Sequence, residues 1–100
     1  MPLFNLMPVT AFSNQELLQM IRHKTKAGAA ALYDQHAQVL SLAIFRIVQQ
    51  RSITDILLQK AVAQIWDTAN QYNENELPLL AWMLAISKNV AQEYSGSGVE

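Results

Sequence analysis

Between residues 82 and 92 the chain gathers Trp82, Lys88, Asn89 and Gln92. An aromatic ring can stack on a flat partner, an amide can hydrogen-bond a base edge, and an ammonium can neutralise phosphate. The stretch LLAWMLAISKNVAQEY, residues 79–94, shows how such groups could be presented together. Wound at about 100° per residue, it puts Leu79, Met83, Ile86, Val90 and Tyr94 on one apolar stripe that a helix buries. Trp82 and Asn89 fall together on one flank of that stripe, with Lys88 and Gln92 further round. The helix therefore offers a ring, an amide edge and a positive charge to something outside the core, although Trp82 reads equally well as a half-buried core ring.

No constellation for catalysis accompanies this set. Asp55, Asp67, Glu74 and Glu76 fit cap and surface positions better than an acid/base pair, and no serine, histidine and acid share a triad spacing. His23 and His36 stand apart without metal-ligand spacing, and the absence of cysteine excludes disulfides and thiolate-held metals. His36 lies on an apolar stripe and reads as a hydrogen-bonded core histidine. There is no phosphate-cradling glycine loop and no internal repeat. Neither an enzyme nor a cofactor or small-molecule substrate is expected.

One hundred residues make one domain, in which all elements share a single core. A composition 51% hydrophobic, with three glycines and three prolines, fits a compact helical domain and not a disordered chain. The formal net charge of −1 gives little general attraction for nucleic acid. Residues 1–50 carry Arg22, Lys24, Lys26 and Arg46 against Glu16 and Asp34. Residues 51–100 carry Arg51, Lys60 and Lys88 against Asp55, Asp67, Glu74, Glu76, Glu93 and Glu100. The ring-and-amide set thus sits in the acidic half. Residues 1–12 lack a basic segment and are interrupted by Pro2 and Pro8, unlike a signal peptide. The longest apolar run, 77–86, is too short to span a bilayer, and a cytoplasmic protein without membrane association is expected.

An all-α bundle of about four helices follows from the periodicity. Ser13 and Glu16 form a capping-box pattern that opens a first helix over 14–23. Ala29, Leu32, Tyr33, His36, Leu40, Ala43 and Ile47 mark a longer second helix. Val39, Leu42, Ile44, Phe45 and Val48 extend its apolar surface nearly all round, which predicts a central position. Ser52 is the expected cap of a third helix, with Asp55 three residues on, near its amino end. That helix buries Leu58, Ala61, Val62, Ile65 and Ala69 and leaves Ile56, Lys60, Ala63 and Asp67 outside, so that Ile56 becomes an exposed apolar contact candidate. A polar loop, 70–76, precedes Leu77-Pro78, where proline fits the first turn of the fourth helix. Gly96 is expected to end it. The domain boundaries are then an arm at 1–12, the helical domain at 13–94 and a flexible tail at 95–100.

The order of these motifs resembles region 2 of the extracytoplasmic-function sigma factors of the sigma-70 family. S-x-x-E-L-L at 13–18 is followed by A-x-x-L-Y-D at 29–34 and R-I-V at 46–48. Then come L-L-Q at 57–59, Ile65-Trp66, Tyr72, Ala81-Trp82-Met83 and Ile86-Ser87-Lys88-Asn89. The likeness runs over residues 13–94. It implies a sigma region 2 fold and a domain that binds core RNA polymerase and opens the promoter minus-ten element. The face with Asp55, Ile56, Gln59 and Lys60 would meet the clamp helices of the largest polymerase subunit. Tyr72, Asn73 and the loop to residue 76 would capture a flipped base, and Trp82, Lys88, Asn89 and Gln92 would meet DNA. An anti-sigma factor is a further class of partner the resemblance implies.

Departures from the family pattern go with it. Thr54-Asp55-Ile56 and Lys60 stand where relatives have more acidic residues, so one acid is kept, one is apolar and one is reversed in sign. The loop reads Glu74-Asn75-Glu76-Leu77 where relatives commonly have a basic residue and glycine. The basic residue usual after the fourth helix is absent, and no second helix-turn-helix domain follows. The chain then corresponds to an excised region 2 or to a protein built from that region alone. The alternative is a sigma-like fold that has left promoter work and serves as a regulatory protein-interaction module. A helical bundle that self-associates through its apolar surface is the third reading.

Overall fold

The computed structural model describes residues 12–98. Four α-helices account for most of them: α1 (Asn14–Arg22), α2 (Lys26–Val48), α3 (Arg51–Thr68) and α4 (Leu79–Gly98), with a 3-10 turn at Ala69–Gln71 between the last two. Among the described residues there is no strand, and the protein is an all-α bundle. α2 packs against each of the other three helices, and α3 also packs on α4. The central position expected of α2 is therefore observed.

Local chemistry explains where the helices begin. The Ser13 hydroxyl accepts the Glu16 N–H at 3.1 Å while the Glu16 carboxylate accepts the Ser13 N–H at 3.0 Å, the reciprocal capping box read from the sequence. Phe12, just before it, is held from α2: its N–H donates to Gln35 Oε1 at 2.6 Å, and Gln35 Nε2 donates back to its carbonyl at 3.3 Å. α1 closes with Thr25 N–H on Met20 O and Lys24 N–H on Ile21 O, with Lys24 in the left-handed region at φ 58°. This is a Schellman closure, which satisfies carbonyls left open at a helix end. Thr25 then caps α2 by accepting the Gly28 N–H at 2.9 Å. Gly28 is needed there because a Cβ would lie 2.8 Å from the Met20 carbonyl carbon and oxygen.

Four expectations are corrected. Ser52 does not cap α3: Gln50 is the N-cap, without a side-chain bond, and Ser52 lies inside the first turn. Asp55 consequently falls beyond that turn, too far along to serve the helix amino end. Pro78 sits immediately before α4, where its carbonyl accepts the Trp82 N–H at 3.0 Å. Gly96 does not stop α4, which runs to Gly98, so the first part of the expected tail is helical. Residues 1–11 of the expected arm and residues 99 and 100 of the tail lie outside the described residues.

One core joins all the elements, with Leu17, Ile21, Leu32, Leu40, Ile44, Ile65 and Met83 among its fully buried side chains. On α3, Leu57 joins Leu58, Ala61 and Ile65 in the core, followed by Ala69 of the 3-10 turn, while Val62 is half-buried. On α4 the buried stripe is Leu79, Met83, Ser87, Val90 and Ala91. Ile86 is only half-buried and Tyr94 is exposed, because the inward face is rotated by one residue in the second half of the helix. This rotation puts the Ser87 hydroxyl in the core without a hydrogen-bond partner among the described residues. The expected hydrogen bond of His36 is not found either: the residue is half-buried and its Nε2 has no partner. Burial holds its pKa below the ordinary 6.5.

Candidate functional site at the α3–α4 loop and the faces beside it

The loop after the 3-10 turn is built around Tyr72. Its phenol is buried and donates to the Leu77 carbonyl at 2.5 Å, closing the loop on itself. Its ring lies on that of Trp82, with centroids 4.7 Å apart and planes tilted by 33°. Burial pushes the phenol pKa up, the nearby Glu74 carboxylate adds to this, and Arg22 opposes it. Tyr72 is thus a buried support under Trp82, and the expectation that it faces a ligand is corrected. The apolar ring finds a better site against Trp82 and α1 than in water.

Asn73 sits at the outer turn, exposed, with its Oδ1 accepting the Asn75 N–H at 2.9 Å. Its carbonyl accepts the Glu76 N–H at 3.1 Å. This Asx-type closure commits the acceptor oxygen of the side chain and leaves its NH2 outside. Glu74 and Glu76 are both exposed, but they differ in their partners. Glu74 pairs with Arg22 at 3.5 Å, and Glu76 has no ion pair among the described residues.

Trp82 is half-buried, as its reading as a half-buried core ring has it. Lys88, Asn89 and Gln92 are exposed along the same helix and have no hydrogen bond or ion pair among the described residues. At about 1.5 Å rise per residue, Asn89 lies roughly 10 Å along the axis from Trp82 and Gln92 about 15 Å. A half-buried ring, an ammonium and two amides are therefore spread over about three turns of one helix.

A separate surface is formed by α3 with α2. Asp55, Ile56, Gln59 and Lys60 are all exposed, Ile56 with 63% of its surface free. Asp55 borders an open groove of about 820 Å³ that also involves Tyr33, Leu42, Phe45 and Arg51. Gln59 borders a second groove of about 370 Å³ with Tyr33, Ala63 and Trp66. Tyr33 lies between the two. Tyr33, Val39 and Leu42 of α2 are substantially exposed, a contribution that sequence reading missed when it assigned α2 an apolar surface nearly all round. The available signal was the three-residue step from Val39 to Leu42, off the main stripe.

Arg22 is the other residue that sequence reading passed over. It reaches from the last turn of α1 to the 3-10 turn and the loop, where Nε donates to Ala69 O at 3.0 Å and Nη2 to Tyr72 O at 2.7 Å. Beside it Lys24 donates to the Trp66 carbonyl and stands over the Trp66 ring at 4.9 Å from its centroid. Two cations from the end of α1 therefore meet the carbonyl-rich end of α3, where positive charge is favoured.

Among the described residues no group of three His, Asp or Glu side chains could hold a metal ion, and no helix is long and apolar enough to cross a membrane. In comparison with known proteins, no family model, no curated protein and no solved structure matches this chain.

Proposed function

We propose that this domain is a sigma-70-type region 2 module that binds core RNA polymerase and takes part in recognising and opening the promoter minus-ten element. The observation that carries the reading is the ordered series of motifs over residues 13–94, joined to the exposure of the residues they assign to partners. Lys88, Asn89 and Gln92 are exposed and make no hydrogen bond or ion pair among the described residues, which supports their availability to DNA. Trp82 is half-buried, with its ring against that of Tyr72. Base stacking on such a ring is worth about 1–3 kcal/mol in single-strand binders.

Asp55, Gln59 and Lys60, with Ile56 between them, form the polymerase-facing surface in this reading, and the clamp helices of the largest subunit are its partner. Promoter DNA is the second partner and an anti-sigma factor a third. The work is binding and strand separation, without a catalytic residue, and it belongs in the cytoplasm with the polymerase. Tyr72 acts from beneath, as the platform that sets the tilt of Trp82.

The second reading is a sigma-like domain turned to protein interaction without promoter binding. It is favoured by the exposed Ile56, by the two grooves between α2 and α3, and by the carboxylates of the loop. Biolayer interferometry against core RNA polymerase, and against its isolated clamp helices, separates the two, with an established region 2 domain as control. Affinity comparable to the control supports the first reading. No detectable binding sinks it and turns attention to other protein partners.

A further inference from the structure

The loop 72–78 carries few internal bonds, yet it ends in a tightly specified arrangement of Tyr72 under Trp82. Its remaining restraint comes from outside. Arg22 is far from the loop in sequence, by 47 residues to Ala69 and 50 to Tyr72. Its planar guanidinium nevertheless binds two carbonyls in series along the turn and pairs with Glu74 further on. The group is largely buried, with 23% of the side chain exposed, against 47% for Glu74. Bonds to carbonyls from a charged, part-buried donor are stronger than neutral ones, and a rigid fork fixes direction as well as distance. Lysine, a single compact charge, cannot span the three acceptors.

We propose that Arg22 is the positioning residue of this site: from α1 it holds the Tyr72 backbone and the Glu74 side of the loop where the Tyr72 ring can support Trp82. The consequence for nucleic acid rests on the reading given under Proposed function, but the positioning itself does not. Glu74 then has a structural duty, since its charge is spent on Arg22. The Glu74 side chain helps hold the loop down, and Glu76 is the loop carboxylate without an ion pair.

The test uses the full chain in a Trp66→Phe background, so that Trp82 is the single fluorescent indole. Arg22→Met keeps the length of the side chain and removes the fork, Arg22→Lys keeps the charge, and Glu74→Gln removes the ion pair alone. Acrylamide quenching of Trp82 reports on its cover, urea unfolding on stability, and binding to a fluorescent mixed-sequence single-stranded oligonucleotide on the site. Under native conditions, with every variant more than nine-tenths folded, Arg22→Met and Arg22→Lys should both raise the Trp82 quenching constant at least twofold. Glu74→Gln should raise it less. Oligonucleotide affinity should fall about tenfold in the two Arg22 variants. An unchanged quenching constant in folded Arg22→Met overturns the proposal. So does full rescue by lysine, which would mean that charge and not the fork is what matters. If the parent binds no oligonucleotide, the DNA reading fails, while Trp82 quenching still decides whether Arg22 positions the loop.

Discussion

At the scale of single residues, the structure isolates two polar groups whose burial is uncompensated. The Ser87 hydroxyl is buried without a partner, and a buried polar group without a hydrogen bond costs free energy. Ser87→Ala removes that cost and improves helix propensity, so it should stabilise the domain by about 1 kcal/mol in urea unfolding; a loss of stability would show that the hydroxyl has a partner in solution. His36 makes a pH-dependent contribution. Its folded pKa lies below the ordinary 6.5 because burial disfavours the charged ring. As pH falls through 6.5 the unfolded chain takes up the proton first, so stability drops until the folded pKa is also passed. The thermal midpoint of the native chain should therefore fall more between pH 7.5 and pH 5 than that of His36→Gln. Parallel curves for the two proteins would count against the burial of this ring.

At the scale of elements, two glycines in helices have opposite meanings. Gly28 lies where α2 passes close to the backbone of α1, and an added Cβ would meet the Met20 carbonyl at 2.8 Å. Backbone cannot swing aside as a side chain can, so Gly28→Ala should cost about 1–3 kcal/mol despite the better helix propensity of alanine. At Gly96 an added Cβ meets nothing within 4 Å. Gly96→Ala should be neutral to stabilising, by up to about 1 kcal/mol. Urea unfolding of both variants checks the α1–α2 crossing and the continuation of α4 together. The loop contains a second contrast. Glu76→Lys should strengthen single-stranded DNA binding and steepen its salt dependence by roughly 0.7 in the log–log slope per phosphate gained. Glu74→Lys should instead lower the thermal midpoint, because it puts a cation beside Arg22. Equal behaviour of the two variants in both assays would argue against different duties for the two acids.

At the scale of the whole molecule, α2 serves both the core and the surface. It packs on every other helix, yet Tyr33, Val39 and Leu42 remain exposed, as does Ile56 on α3. Tyr33, Val39 and Leu42 line one groove, which makes them a more significant feature than scattered apolar side chains would be. If this surface meets polymerase, Gln59→Ala and Ile56→Ser should weaken clamp-helix binding several-fold while stability changes by less than about 0.5 kcal/mol, as expected for exposed positions. Unchanged affinity in both would remove this face from the interface. Sizing with light scattering answers the self-association reading, since a monomer at every concentration is incompatible with it.

The sequence by itself determined the helices, the Ser13–Glu16 capping box, the outward face of Ile56, Lys60, Ala63 and Asp67, and the break before α4. Each depends on groups within a few residues of one another, through caps, periodicity and the missing proline N–H. Failures came where local rules are weak or another element intervenes. Ser52 looked like a cap, but helical backbone geometry already begins at Arg51. Tyr94 shared the period of the α4 stripe but is exposed, whereas Ser87 and Ala91 face the core. Tyr72 looked like a loop aromatic open to a ligand, and only the arrival of Arg22 and Trp82 in space turned it into a buried platform. Those contacts join distant parts of the chain, and their energies are realised only once α1, the loop and α4 have been brought together by the shared core. Tertiary structure therefore decided the site: which aromatic ring is covered, which carboxylate is paired and which residue holds the loop.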